Sequence, residues 1–197
     1  MSRAEPGLKA ALRALCRALS QERVPYAIIG GIAVLARGVA RFTRDIDVTV
    51  AGDSVTPEAL VAALAPHGFE PRIEQAAAFA RAHQVLLLRH RRTGVELDLS
   101  FAWAPFELEA LRRRERLSFA GVPIEIVQPE DLVVFKLVAR RPQDLEDVKR
   151  LLLLHGDRVD LKRVRGWVRE FAEILEEPER MDEFESLLRE VDRLRGP

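Results

Sequence analysis

The chain has 197 residues, with Lys plus Arg matching Asp plus Glu at 31 each, so its zero net charge gives no reason to expect a general nucleic-acid binder or an acidic tail. At 48% hydrophobic and 31% charged it is long enough for one good core with a helical extension. Its single cysteine, Cys16, excludes an internal disulfide and a multi-cysteine zinc site.

Cys16 reads as a small buried apolar residue, and its isolation suits a reducing compartment. The N-terminal stretch interleaves arginine with apolar residues at helical spacing, unlike the unbroken apolar run of a signal peptide. No window approaches the roughly 18 consecutive apolar residues of a membrane span. A soluble, cytoplasmic protein with no membrane partner is expected.

In chain order, residues 8–19 place Leu8, Ala11, Leu12, Leu15, Cys16 and Leu19 at intervals of three and four, which is one face of an amphipathic helix. Residues 26–29 form a short apolar strand that stops at Gly30-Gly31, and residues 32–37 resume as helix. Residues 46–50 read as a second strand, 57–64 as a helix with proline in its first turn, and 68–71 as a brief extended piece. Runs 85–88 and 95–99 flank Arg91-Arg92-Thr93-Gly94 and are expected to pair as an antiparallel hairpin. Runs 116–120 and 123–127, split by Gly121, suggest a second hairpin.

From Pro129 the pattern becomes helical, over 132–139, 145–154, 161–175 and 181–194, with charges on the outward faces. The expected fold class is α/β (α+β): a mixed β-sheet flanked by helices over residues 1–128, followed by a helical region over 129–197. No repeat or flexible linker intervenes, so the helices are expected to pack on the sheet.

The chemistry concentrates in Ile29-Gly30-Gly31 and, after thirteen residues, Asp45-Ile46-Asp47-Val48. Alternation along a strand sends Asp45 and Asp47 to one face and Ile46 and Val48 into the core. Adjacent carboxylates repel unless a cation lies between them, and hard oxygen ligands suit Mg²⁺ or Mn²⁺. A third carboxylate is expected from a neighbouring strand, where Glu96 and Asp98 share a face. Asp98 is preferred because its shorter side chain has less rotamer freedom. Gly30-Gly31, between strand and helix, permits close backbone approach and offers amide N–H groups to a polyphosphate.

Gly30-Gly31 together with Arg41-Phe42-Thr43-Arg44-Asp45-Ile46-Asp47 resembles the signature of the polymerase-beta-like nucleotidyltransferase superfamily. The wording Arg-x-Thr-x-Asp-Ile-Asp is most similar to the AbiEii-like toxin nucleotidyltransferases of type IV toxin–antitoxin systems. Pro129-Glu130-Asp131-Leu132, Lys136, Arg140, Asp144 and Asp147 resemble that group's lysine-bearing helix and the helix after it. The resemblance spans roughly residues 26–154.

It implies a nucleotidyltransferase-type sheet in which Asp45 and Asp47 bind catalytic Mg²⁺ or Mn²⁺ and Asp98 completes the site, helping to deprotonate the acceptor hydroxyl. Gly30 and Gly31 would contact the triphosphate, with Arg41, Thr43, Lys136, Asp144 and Asp147 contributing to the nucleotide site. The implied partners are a nucleoside triphosphate, tRNA or another RNA acceptor, and a cognate antitoxin. The chain departs from the minimal-antitoxin form, in which serine follows the first glycine.

Plainer readings stand beside these. Lys136 is either a buried-helix lysine or a phosphate ligand. Asp144 and Asp147 near a helix start suit the helix dipole or surface pairs with Lys149 and Arg150. The clusters Arg89-His90-Arg91-Arg92 and Arg112-Arg113-Arg114-Arg116 either steer RNA or nucleotide or are solvated faces. Trp103 and Trp167 read as core or interface residues. Two alternatives compete with toxin-like transfer to tRNA: a small-molecule, antibiotic-type nucleotidyltransferase, and a non-catalytic nucleotide- or partner-binding module.

Overall fold

The computed structural model describes residues 6–196. They fall into two units, one running to Val127 and the other starting at Gln128.

In the first unit, α1 (Pro6–Gln21) buries the leucine and alanine face that its three-four spacing defines, with Cys16 within it. Burial pushes the Cys16 thiol up to about 11, against a lowering hydrogen bond with Tyr26. Seven strands make one mixed sheet: β1 (Tyr26–Ile28), β2 (Ile46–Ala51), β3 (Phe69–Pro71), β4 (Val85–His90), β5 (Glu96–Ala102), β6 (Glu115–Phe119) and β7 (Val122–Ile126), in the spatial order β3-β4-β5-β2-β1-β7-β6.

Strand β2 is antiparallel to β1 and parallel to β5, so the starts of β2 and β5 and the end of β1 share one sheet edge. Ile46, Val48 and Val50 on β2 and Leu97 and Leu99 on β5 are fully buried, as the alternation requires. Both hairpins form in the expected pairings, and Gly94 takes the positive φ of +72° that the first turn needs.

α2 (Gly30–Ala36) begins at the glycine pair, and α3 (Pro57–Leu64) carries proline in its first turn behind a Thr56 cap whose hydroxyl accepts from Ala59 N–H at 3.2 Å. Two further helices, α4 (Ala76–His83) and α5 (Pro105–Arg112), are not signalled by apolar periodicity. α4 buries only Ala76 and Ala80, and α5 is set by Pro105 and by Glu107, whose carboxylate accepts from the N–H groups of Trp103 and Ala104. Trp103 is 69% exposed, so of the core or interface role expected for it the core one does not hold.

The second unit comprises α6 (Pro129–Ala139), α7 (Pro142–His155), α8 (Leu161–Ile174) and α9 (Glu179–Arg195). The first two begin earlier than their apolar periodicity, because Pro129 and Pro142 occupy first-turn positions where a missing N–H costs nothing. Leu132, Val133, Val134, Val148, Leu151, Val164 and Phe184 form the fully buried centre. Among the described residues no helix is long and apolar enough to cross a membrane.

Candidate active site

The site sits where β1 ends and β2 and β5 begin. Ile29 N–H donates to the Asp47 carbonyl at 3.0 Å, and the chain then turns through Gly30 at φ +61°. A methyl group on Gly30 would lie 1.9 Å from Oδ2 of Asp47, and one on Gly31 would lie 2.4 Å from Oγ1 of Thr43 and 3.2 Å from the guanidinium carbon of Arg41. Two glycines are therefore required because Asp47 and Thr43 occupy the space that side chains would fill.

Thr43 is 8% exposed and its hydroxyl donates to Oδ1 of Asp45 at 2.7 Å, orienting a carboxylate that is itself exposed just before β2. Phe42 points to solvent, with the Arg44 guanidinium 4.8 Å from its ring centre.

Asp47 and Asp98 are direct partners in the parallel pairing of β2 with β5. Neighbouring strands lie about 4.8 Å apart, so two half-buried carboxylates face solvent side by side. Burial raises the Asp98 carboxyl above its ordinary 3.8; Arg72 opposes this, while Asp45 and Glu96 add to it.

Arg72, which follows β3, is the part of the site that sequence reasoning missed. Its N–H donates to the Leu87 carbonyl at 3.0 Å, and its guanidinium bridges Glu96 and Asp98. An arginine after a three-residue edge strand has no periodic signal, and only the order β3-β4-β5 brings it to Asp98.

Asp45, Asp47 and Asp98 share the sheet edge, but as the side chains stand no three acidic, imidazole or thiol groups among the described residues converge on one ion position. The Asp98 carboxylate is turned onto Arg72. The donor set still fits a hard divalent cation in kind, since it is all carboxylate oxygen and Asp47 packs against the bare backbone of Gly30 rather than against a side chain.

Lys136, Asp144 and Asp147 are brought together in the second unit. Lys136, 4% exposed, places its ammonium 2.7 Å from Asp144 and 3.0 Å from Asp147, tying α6 to α7. Asp144 also accepts from Arg141. Burial pushes its carboxyl up, but the hydrogen bonds and charges of Arg141 and Lys136 outweigh it and hold the group below 3.8. Lys149 pairs with Glu190 and Arg150 with Glu146. The three residues thus form a buried ion cluster.

Residues 8–192 match the family described as "Nucleotidyltransferase of unknown function (DUF6036)". The chain belongs to this nucleotidyltransferase family. No curated protein matches the sequence. Among solved structures, the chain is similar to ANT(2")-Ia in complex with adenylyl-2"-tobramycin, at 20% identity and TM-score 0.59, covering 85% of this chain and 98% of that one.

An antigenic nucleotidyltransferase-like protein from Paracoccidioides brasiliensis aligns at 19% identity and TM-score 0.56 over 91% of each chain. The lincomycin-bound lincosamide antibiotic adenylyltransferase LnuA aligns at 15% identity and TM-score 0.51, covering 72% of this chain and 94% of that one. At these identities the likeness is one of fold. The seven-stranded mixed sheet is the nucleotidyltransferase fold, and the family's enzymatic class applies to this chain.

Proposed function

We propose that this nucleotidyltransferase moves a nucleoside monophosphate from a nucleoside triphosphate to an acceptor hydroxyl, releasing pyrophosphate, at Asp45, Asp47 and Asp98. The single observation that carries the reading is the register of Asp47 against Asp98 beside the Gly30 turn. It sets paired carboxylates next to a backbone that a phosphate chain can approach closely.

In this scheme the acceptor oxygen bonds to the α-phosphorus, the bond from that phosphorus to the bridging oxygen breaks, and pyrophosphate leaves with the electron pair. Asp98 receives the hydroxyl proton, and Thr43 holds Asp45 in orientation. A divalent ion, Mg²⁺ or Mn²⁺, held by Asp45, Asp47 and Asp98 supplies charge neutralisation of the phosphates. Gly30, Gly31 and Arg41 line the triphosphate side.

Two acceptor classes follow from different observations. The Arg-x-Thr-x-Asp-Ile-Asp wording supports an RNA acceptor, in a toxin-like enzyme with an antitoxin partner. The near-complete coverage of ANT(2")-Ia and LnuA supports a small hydroxyl-bearing acceptor in a chain of similar extent.

The test is pyrophosphate release from each of the four ribonucleoside triphosphates with Mg²⁺, alone, with total tRNA, and with a panel of aminoglycosides and lincosamides. Asp47→Ala serves as the control. Release that needs Asp47 and one acceptor class assigns both reaction and acceptor. Nucleotide binding without release under any condition sinks the transferase reading in favour of a binding module.

A further inference from the structure

A row of residues crosses the sheet at the site edge. Arg72 N–H bonds to Leu87 on β4, Leu87 pairs with Asp98 on β5, and Asp98 pairs with Asp47 on β2. Residues directly opposite in a ladder share a face, so the Arg72 guanidinium lies on the face that carries both aspartates. It takes Oδ1 of Asp98 with Nη2 and Oε2 of Glu96 with Nη1, its side chain is 19% exposed, and its Nε is buried with no hydrogen-bond acceptor.

We propose that Arg72 is a resident cation of the active site, holding the place of a divalent ion on Asp98 until a metal–triphosphate complex enters, and then moving from Asp98 to phosphate oxygen. The inference rests on the reading of Asp45, Asp47 and Asp98 as the metal-binding carboxylates. A guanidinium bonded to Asp98 repels a divalent ion seated between Asp98 and Asp47, and competes with it for the same oxygen. A bare ion therefore meets a site whose third ligand is engaged.

A polyphosphate changes that balance. It offers the guanidinium anionic oxygens in a geometry its planar fork matches and gives the unsatisfied Nε an acceptor. Loading becomes ordered: weak for the metal alone, strong for metal and phosphates together. Arg72 is a positioning residue for the empty site and a phosphate ligand for the loaded one.

The experiment measures Mn²⁺ binding to the full chain by electron paramagnetic resonance, with and without inorganic tripolyphosphate, for wild type, Arg72→Met, Arg72→Lys and Asp47→Asn. Arg72→Met is expected to bind Mn²⁺ alone about fivefold more tightly and Mn²⁺–tripolyphosphate about tenfold more weakly. Arg72→Lys, which keeps the charge but bridges only one carboxylate, falls between, and guards against a folding defect in the methionine variant.

Opposite signs for the two ligands are a signature that a purely structural arginine cannot produce. If both affinities fall together, or if Mn²⁺ alone binds unchanged, the inference is overturned. Mn²⁺–tripolyphosphate binding that needs Asp47 but ignores Arg72 overturns it while the carboxylate site stands. Binding indifferent to Asp47 removes both.

Discussion

Asp47 fills the space that any side chain at position 30 would occupy, with its Oδ2 only 1.9 Å from where a Gly30 methyl would sit. The turn and the carboxylate are thus a single unit, and Gly30→Ala tests it. The left-handed backbone costs about 1–2 kcal/mol for alanine. The second effect is functional: Asp47 must move, so Mn²⁺–nucleotide binding is expected to fall at least about tenfold, a loss near 1.4 kcal/mol. Titration calorimetry checks it, and unaltered affinity would refute the coupling.

The buried cluster in the second unit makes a stability prediction. Lys136→Met leaves Asp144 and Asp147 side by side without the shared ammonium, and breaking one partner of a buried ion cluster costs about 3–5 kcal/mol. Urea unfolding of the full chain is the measurement. Adding Asp144→Asn and Asp147→Asn should restore part of the loss. A single variant as stable as wild type would show that the lysine is replaceable there.

His90 sets a pH dependence. The residue is 4% exposed, its ring bonded through Nδ1 to the Thr93 hydroxyl at 2.8 Å and tilted against that of Phe69. Burial, then Arg92 and Arg91, lower its pKa below 6.5. As pH falls, the unfolded chain takes up the proton before the folded chain does. This contribution is therefore full above pH 6.5 and is lost progressively below it, by at most about 1.4 kcal/mol per pH unit. Melting temperatures from pH 7.5 to 5.5 should fall less steeply for His90→Gln than for wild type, and equal slopes would count against the assignment.

Thr49, in the middle of β2, is fully buried and its hydroxyl makes no hydrogen bond. An unpaired buried hydroxyl costs about 1–3 kcal/mol, and valine has nearly the same shape. Thr49→Val is expected to raise stability by about 1 kcal/mol, read as a melting temperature higher by roughly 2–4 °C. A lower melting temperature would mean that the hydroxyl is satisfied in solution.

What the sequence by itself determined were the features written in short-range spacing. The Gly30-Gly31 and Asp45-x-Asp47 pattern, the apolar alternation of β2 and β5, and the leucine periodicity of α1 and α6–α9 each follow from the geometry of one strand, turn or helix. Helices α4 and α5 escaped because they bury too few apolar residues, or are set by proline and a carboxylate cap rather than a stripe. The pairing of Asp98 with Asp47, the arrival of Arg72 from β3 and the meeting of Lys136 with Asp144 and Asp147 were decided only by tertiary structure. Strand order and helix packing bring residues 8 to 51 positions apart into contact, and no local propensity encodes which edge, or which partner, a charged side chain will meet.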